Sequence, residues 1–146
     1  MGIEIANNSG IACNEDEVVD VAAFALDKMG IHPDSDLGIT LVDEDEITQL
    51  HVQWMNLPGP TDVLSFPMDE LKPFSASDGP GIIGDIVICP QFAAKQAVSH
   101  STAEEISLLT VHGVLHLLGF DHVEEEEHKV MFGLQDKTLA EWRKGK

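Results

Sequence analysis

Apolar residues recur along this chain with a period of two in some stretches and of three to four in others, and the changes of period mark out its elements. Ile3 to Ala6 alternates apolar and polar side chains and predicts a short strand. Glu15 to Met29 carries its apolar residues at helical spacing and predicts a helix that Gly30 stops. Asp36 to Val42 reads as a second strand. Asp43 to about Met55 reads as the next helix, its acidic opening residues suiting the positive end of a helix dipole, and Pro58-Gly59-Pro60 breaks the chain after it. Asp62 to Pro67 and the β-branched run Ile82 to Ile88 are the remaining strands. Residues 69–81 between them, dense in Pro, Gly and Ser, read as an exposed loop. A helix from Gln91 to about Ser99 follows. Ser101 and Thr102 with Glu104 and Glu105 offer overlapping capping boxes to another helix, which runs to Leu118, and the last helix covers about Val123 to Arg143. Strands interleaved with helices predict a small mixed β-sheet of about four strands packed with about five helices.

One of these helices is unusual. From Glu105 to Leu118 it is apolar almost all round, with Ile106, Leu109, Val111, Val114, Leu115 and Leu118 leaving only Ser107 and Thr110 as a narrow polar strip. Such a helix is buried, so it runs through the core. It nevertheless carries His112 and His116, which at about 100° per residue lie about 40° apart on one face, a turn apart along the axis. Two buried imidazoles without partners would cost about 1–3 kcal/mol each, and a shared metal ion satisfies both. Gly119 permits the left-handed turn that swings Phe120, Asp121 and His122 back towards them. Three neutral imidazoles on one divalent ion leave a fourth tetrahedral position open, which in a zinc site marks catalysis rather than scaffolding.

The spacing also matches the zinc-protease pattern H-E-x-x-H-x-x-G-x-x-H at every fixed position except one. Gly113 stands where the glutamate should be. That glutamate is the general base of the protease class, so its absence removes the base while a Lewis acid would remain. The residues therefore indicate a hydrolase more firmly than a peptidase.

The run H-G-V-L-H-L-L-G-F-D-H from His112 to His122, with P-T-D-V-L-S-F from Pro60 to Phe66 and G-D-I-V-I from Gly84 to Ile88, resembles the YbeY family of bacterial metallo-endoribonucleases. The blocks stand in the family's order, and with the connecting helices the resemblance extends from about Leu37 to the C-terminal helix. It implies an α+β fold with the metal-binding helix in the core and one zinc ion held by His112, His116 and His122. It also implies hydrolysis of single-stranded RNA, 3′-end maturation of small-subunit ribosomal RNA, and a part in ribosome quality control. The chain departs from the family at Met55, where many members carry an arginine thought to hold the RNA or the transition state. A guanidinium would bind phosphate bidentately, and a thioether offers nothing equivalent.

Composition adjusts this picture. The 146 residues make a chain of the size of one domain, expected to span 1–146 without a linker. Cys13 and Cys89 lack ligand-pair spacing, suit a reducing compartment, and read as buried fillers. The first residues have neither a cationic start nor a long apolar run, and no stretch is long enough to span a bilayer, so a cytoplasmic location without membrane contact is expected. The net charge of −18 opposes the RNA reading, because phosphate neutralisation supplies much of a nucleic-acid binder's affinity. Lys137, Arg143, Lys144 and Lys146 keep one locally positive patch near the C-terminus. Slow cleavage that depends on a divalent cation or a ribosome-associated protein to bring RNA in is the consequence.

Other residues admit two readings. Asp121 either accepts a ligand's ring N–H and fixes its tautomer or caps the last helix. Thr61, Asp62 and Ser65 either bind substrate along the cleft or serve turn and strand-start hydrogen bonding. Glu124 to Glu127 read as a solvated first turn, and His32, His51, His100 and His128 default to the surface. The general base is not identified. A zinc-dependent peptidase or small-molecule hydrolase, and a ribosome-assembly factor with a structural metal, remain as alternatives to the nuclease.

Overall fold

A computed structural model of the protein describes residues 2–57, 59 and 61–145. Pro58 and Pro60 of the expected chain break, and Lys146 of the expected basic patch, lie outside the described residues.

The chain forms β1 (Ile3–Asn7), α1 (Glu15–Lys28), β2 (Asp36–Leu41), α2 (Glu44–Met55), β3 (Val63–Pro67), β4 (Ile82–Ile88), α3 (Pro90–Gln96), α4 (Thr102–Leu117) and α5 (Glu125–Lys144). The sheet order is β1-β2-β4-β3. The first three are mutually parallel, and β3 runs antiparallel to β4 along one edge. This is the α+β architecture with a mixed sheet that the sequence suggests. Several boundaries differ by one to three residues. Pro90 opens α3, a position where its missing N–H costs nothing, and the helix stops at Gln96 instead of Ser99. The last helix begins at Glu125 instead of Val123, and the 69–81 loop contains a short 3-10 turn at Ala76–Asp78.

Alternation along the strands sends side chains to two unequal cores. Leu37, Ile39 and Leu41 of β2 and Ile86 and Ile88 of β4 enter the larger one, with α1, α4 and α5. Leu64, Val87 and Cys89 enter the smaller one on the opposite face, closed by Val42 and by Ile47 of α2. Cys89 is thus the buried filler expected, whereas Cys13 is half-exposed at the start of α1.

Helix α4 packs on α1, α3, α5, β3 and β4, which is why so much of its circumference is apolar. Leu109, Val111, Val114, Leu115 and Leu117 are buried, each worth up to about 1.5–3 kcal/mol relative to exposure. The expected polar strip is buried as well. Ser107 and Thr110 satisfy their hydroxyls internally by donating to the carbonyls of Ala103 (3.1 Å) and Ile106 (2.8 Å) one turn back. The start of the helix is fixed by a reciprocal box: Ser101 Oγ accepts from the Glu104 amide, and the Glu104 carboxylate accepts from the Ser101 amide, both at 3.1 Å. Helix α5 is tied to α1 by a Lys28–Glu141 ion pair and by Trp142 Nε1 donating to Asp20 at 2.9 Å. Among the described residues, no helix is long and apolar enough to cross a membrane.

Candidate metal centre

The end of α4 builds the site. Gly119 adopts φ 97°, the left-handed region that a side chain resists, and the turn closes with the Gly119 amide donating to His116 and the Phe120 amide to Leu115. This reversal returns His122 to the face already occupied by His112 and His116. The ring centroids lie 4.6 Å apart for His112 and His116, 5.4 Å for His112 and His122, and 5.2 Å for His116 and His122. One nitrogen from each ring falls within 4.8 Å of the others, so the three can hold one metal ion.

The first two rings are half-buried and the third is exposed, so the cluster opens to solvent on the side of the turn. Burial is the main cause holding His112 and His116 below the usual histidine range, with mutual repulsion among the rings adding to it. Both are therefore neutral at physiological pH, the form a metal requires.

Gln135 of α5, only 2% exposed, accepts from His112 Nδ1 at 2.8 Å. An amide oxygen can only accept, so the proton sits on Nδ1 and Nε2 keeps its lone pair. Phe132, one turn earlier on the same helix, packs against His112 and His122 at 5.6 and 5.7 Å, and His128 stacks on Phe132 at 4.2 Å and 15°. The sequence did not single out Gln135 or Phe132, and it placed His128 only at the surface, where it is exposed. The available signal was the buried stripe of α5, in which Gln135 and Thr138 interrupt Met131, Leu139 and Trp142.

The other candidates fall at different distances from the triad. Ser65 on β3 donates weakly, at 3.4 Å, to the carbonyl of Gly113, between the two helical histidines. Asp62 lies within electrostatic reach of His112, and its carboxylate accepts from the Val63 amide at 2.8 Å as a strand-start residue does. Thr61 contacts that carboxylate at 3.4 Å. With its amide oriented to suit its neighbours, Gln96 donates to both Asp62 and the buried Glu105, which also pairs with His100 at 2.5 Å. His100 is thus tied to the metal helix rather than free on the surface. The Asp121 carboxylate accepts from the His122 backbone amide at 2.7 Å, and the N-cap of α5 is Glu124, without a side-chain cap bond. His51 anchors the carbonyl of Gly59 at 3.0 Å, and Met55 is the last, exposed residue of α2.

Gly113 has a packing reason. A Cβ built there would meet Ile86 Cγ2 at 2.9 Å and Cδ1 at 3.0 Å, because α4 lies directly on β4. A glutamate at this position would have to displace the sheet's side chains before its carboxylate could serve as a base.

Comparison with known proteins identifies the family. The family model described as Endoribonuclease YbeY matches residues 4–143. An Endoribonuclease YbeY of Rhodococcus erythropolis is 55% identical over 97% of this chain and 82% of its own length. One of Thermobifida fusca is 53% identical over 99% of this chain and 96% of its own. A solution structure from Thermotoga maritima, 29% identical, superposes with a TM-score of 0.62 over 98% of this chain and 93% of that one. With a family match over almost its whole length and relatives above half identity, the chain belongs to the YbeY endoribonuclease family.

Proposed function

We propose that this protein is a zinc-dependent endoribonuclease that cuts single-stranded RNA in the cytoplasm, in 3′-end maturation of small-subunit ribosomal RNA and in ribosome quality control. Family membership supports RNA as the substrate. The observation that carries the metal dependence is the convergence of His112, His116 and His122, with His112 Nδ1 engaged by Gln135. These three residues would hold the ion. Three neutral imidazoles suit zinc, and when bound it supplies a Lewis acid able to activate water or polarise a phosphoryl oxygen.

The chain's own residues do the rest. Gln135 fixes which nitrogen His112 presents, and Phe132 keeps water from the rear of two rings. Thr61, Asp62 and Ser65 line the approach from β3 and position the RNA strand. No arginine stands at Met55, and the protein's net charge of −18 repels a polyanion, so RNA is delivered by ribosome-associated proteins or bridged by divalent cations. The closeness of Ile86 to the position a Gly113 side chain would take disfavours the peptidase reading, since a base there would first have to displace Ile86.

The test is purified protein on single-stranded RNA and on casein, with and without a chelator, followed by zinc resupply. RNA should be cut and casein spared, chelation should stop cutting, and zinc should restore it. His116→Ala should lose metal and cleavage together. RNA processing that survives loss of the metal would make the ion structural and overturn this reading.

A further inference from the structure

The triad lies at one end of α4, and the other end borders a separate cavity of about 590 Å³. Its position follows from the topology. β1 sends α1 to the larger core and β2 sends α2 to the opposite face. Where neighbouring parallel strands diverge in this way, a crevice opens outside their carboxyl ends, and ligands of open sheets bind there. The segments leaving β1, β2 and β4 supply Ile11 and Cys13, Glu44, and Pro90 and Gln91 respectively, and α4 closes the crevice with Ala103 and Ile106. From Ala103 to His112 is about 14 Å along the helix, so this cavity is no part of the triad.

The chemistry of the walls narrows the ligand. Most of the lining is apolar, including Val18 and Ala94, and the volume is that of a small-molecule pocket. Crevices of this kind bind phosphate when free helix N-termini point into them. Here the starts of α1, α2 and α4 are already capped by the chain itself, and the uncapped α3 spans only seven residues and opens on Pro90, which has no N–H to offer. Asn14 accepts from the Glu17 amide at 3.1 Å, Gln91 accepts from the Glu44 amide at 3.2 Å, and Ser101 caps α4. The one cation, Lys95, is held by the Glu44 carboxylate at 2.7 Å. Glu17, half-buried at the rim, has no Lys, Arg or His within ion-pair distance among the described residues. A mostly apolar chamber whose one cation is already paired, and whose rim carries a carboxylate with no ion-pair partner among the described residues, is complementary to an apolar body carrying a positive charge.

We propose that this cavity is a second binding site, independent of the nuclease reading, for a small organic cation: an aromatic or aliphatic body in the chamber with its ammonium group on Glu17. Three probes of similar shape and different charge test it: tryptamine, 3-ethylindole and indole-3-propionate. Titration of the full chain is followed by amide shifts in nitrogen-proton NMR spectra at Ile11, Ala94 and Ala103, and by protection of Cys13 from alkylation. Tryptamine should give saturable shifts at these residues below ~10 mM, 3-ethylindole should bind about tenfold more weakly, and indole-3-propionate should not bind. Glu17→Gln should bring tryptamine to the level of 3-ethylindole and leave 3-ethylindole unchanged. Ala94→Trp, at an exposed wall position, should abolish binding of all three while the histidine resonances stay in place. Absence of saturable shifts with tryptamine, equal binding of all three probes, or shifts confined to the triad would each overturn the proposal.

Discussion

Replacing Gln135 with leucine should weaken metal binding by about 10- to 100-fold, and the structure says why the loss falls on affinity rather than on folding. With an ion on Nε2 of His112, the ring proton is confined to Nδ1, where Gln135 accepts it at 2.8 Å from a position only 2% exposed. Leucine is similar in size but accepts nothing, so the loaded site would contain a buried N–H without a partner, a cost of about 1–3 kcal/mol. A metal-free ring escapes much of that cost by moving its proton to Nε2, on the open side of the site. The penalty is therefore specific to the loaded state, and a tenfold to hundredfold loss of affinity corresponds to about 1.4–2.8 kcal/mol, the same range. Competition with a chromophoric zinc chelator near neutral pH measures it, and urea unfolding of the stripped protein supplies the control. Gln135→Glu, which keeps an acceptor, should bind at least as tightly as the parent. Affinity of Gln135→Leu within about twofold of the parent, or of Gln135→Glu as poor as that of Gln135→Leu, would refute the reasoning.

Three further outcomes are expected. Gly113→Ala should lower stability in thermal or urea unfolding even though alanine is the better helix former by about 1 kcal/mol, because overpacking against Ile86 costs about 1–3 kcal/mol; Ile86→Val in the same chain should recover part of the loss. Burial holds His112 and His116 below the ordinary histidine range, so the unfolded chain binds more protons than the native one just below neutrality. The urea midpoint of the stripped protein should be steady above about pH 6.5 and fall as the pH drops through the native values, and replacing both rings with glutamine should flatten that slope. Burial first, and then the charge of Glu15, push the Cys13 thiol up, so alkylation at neutral pH should be slower than for free cysteine, while Cys89 at 0% exposure should react only on unfolding.

Most of the fold was legible because local signals and packing agree. Residues such as Gly30 and Gly119, the capping box at Ser101, and the period changes along the strands act within a few residues of themselves, and each stands where it was expected. The histidine triad was legible for the same reason, since two members share a helix face and the third follows one glycine turn. What was hidden depends on distant partners. Gln135 looks like an ordinary polar residue of a surface helix until α5 is laid on α4, and Ser107 and Thr110 look solvent-facing until both flanks of their helix are covered. The reason for Gly113 was equally out of reach, because it resides in the side chain of Ile86, far away in sequence.

The three imidazoles are not held alike. His112 and His116 are embedded in the helix that much of the core grips, whereas His122 hangs from an exposed bend whose neighbours from Asp121 to Val130 are all solvent-accessible. That bend can lift away without disturbing Leu115 or Leu117, and local opening of such a segment requires far less free energy than melting the whole molecule. His122 is in this sense a latch on two fixed posts. Exchange of the ion should keep pace with the opening of that latch, so that turnover of the cofactor is set by a few exposed residues while the rest of the protein stays folded.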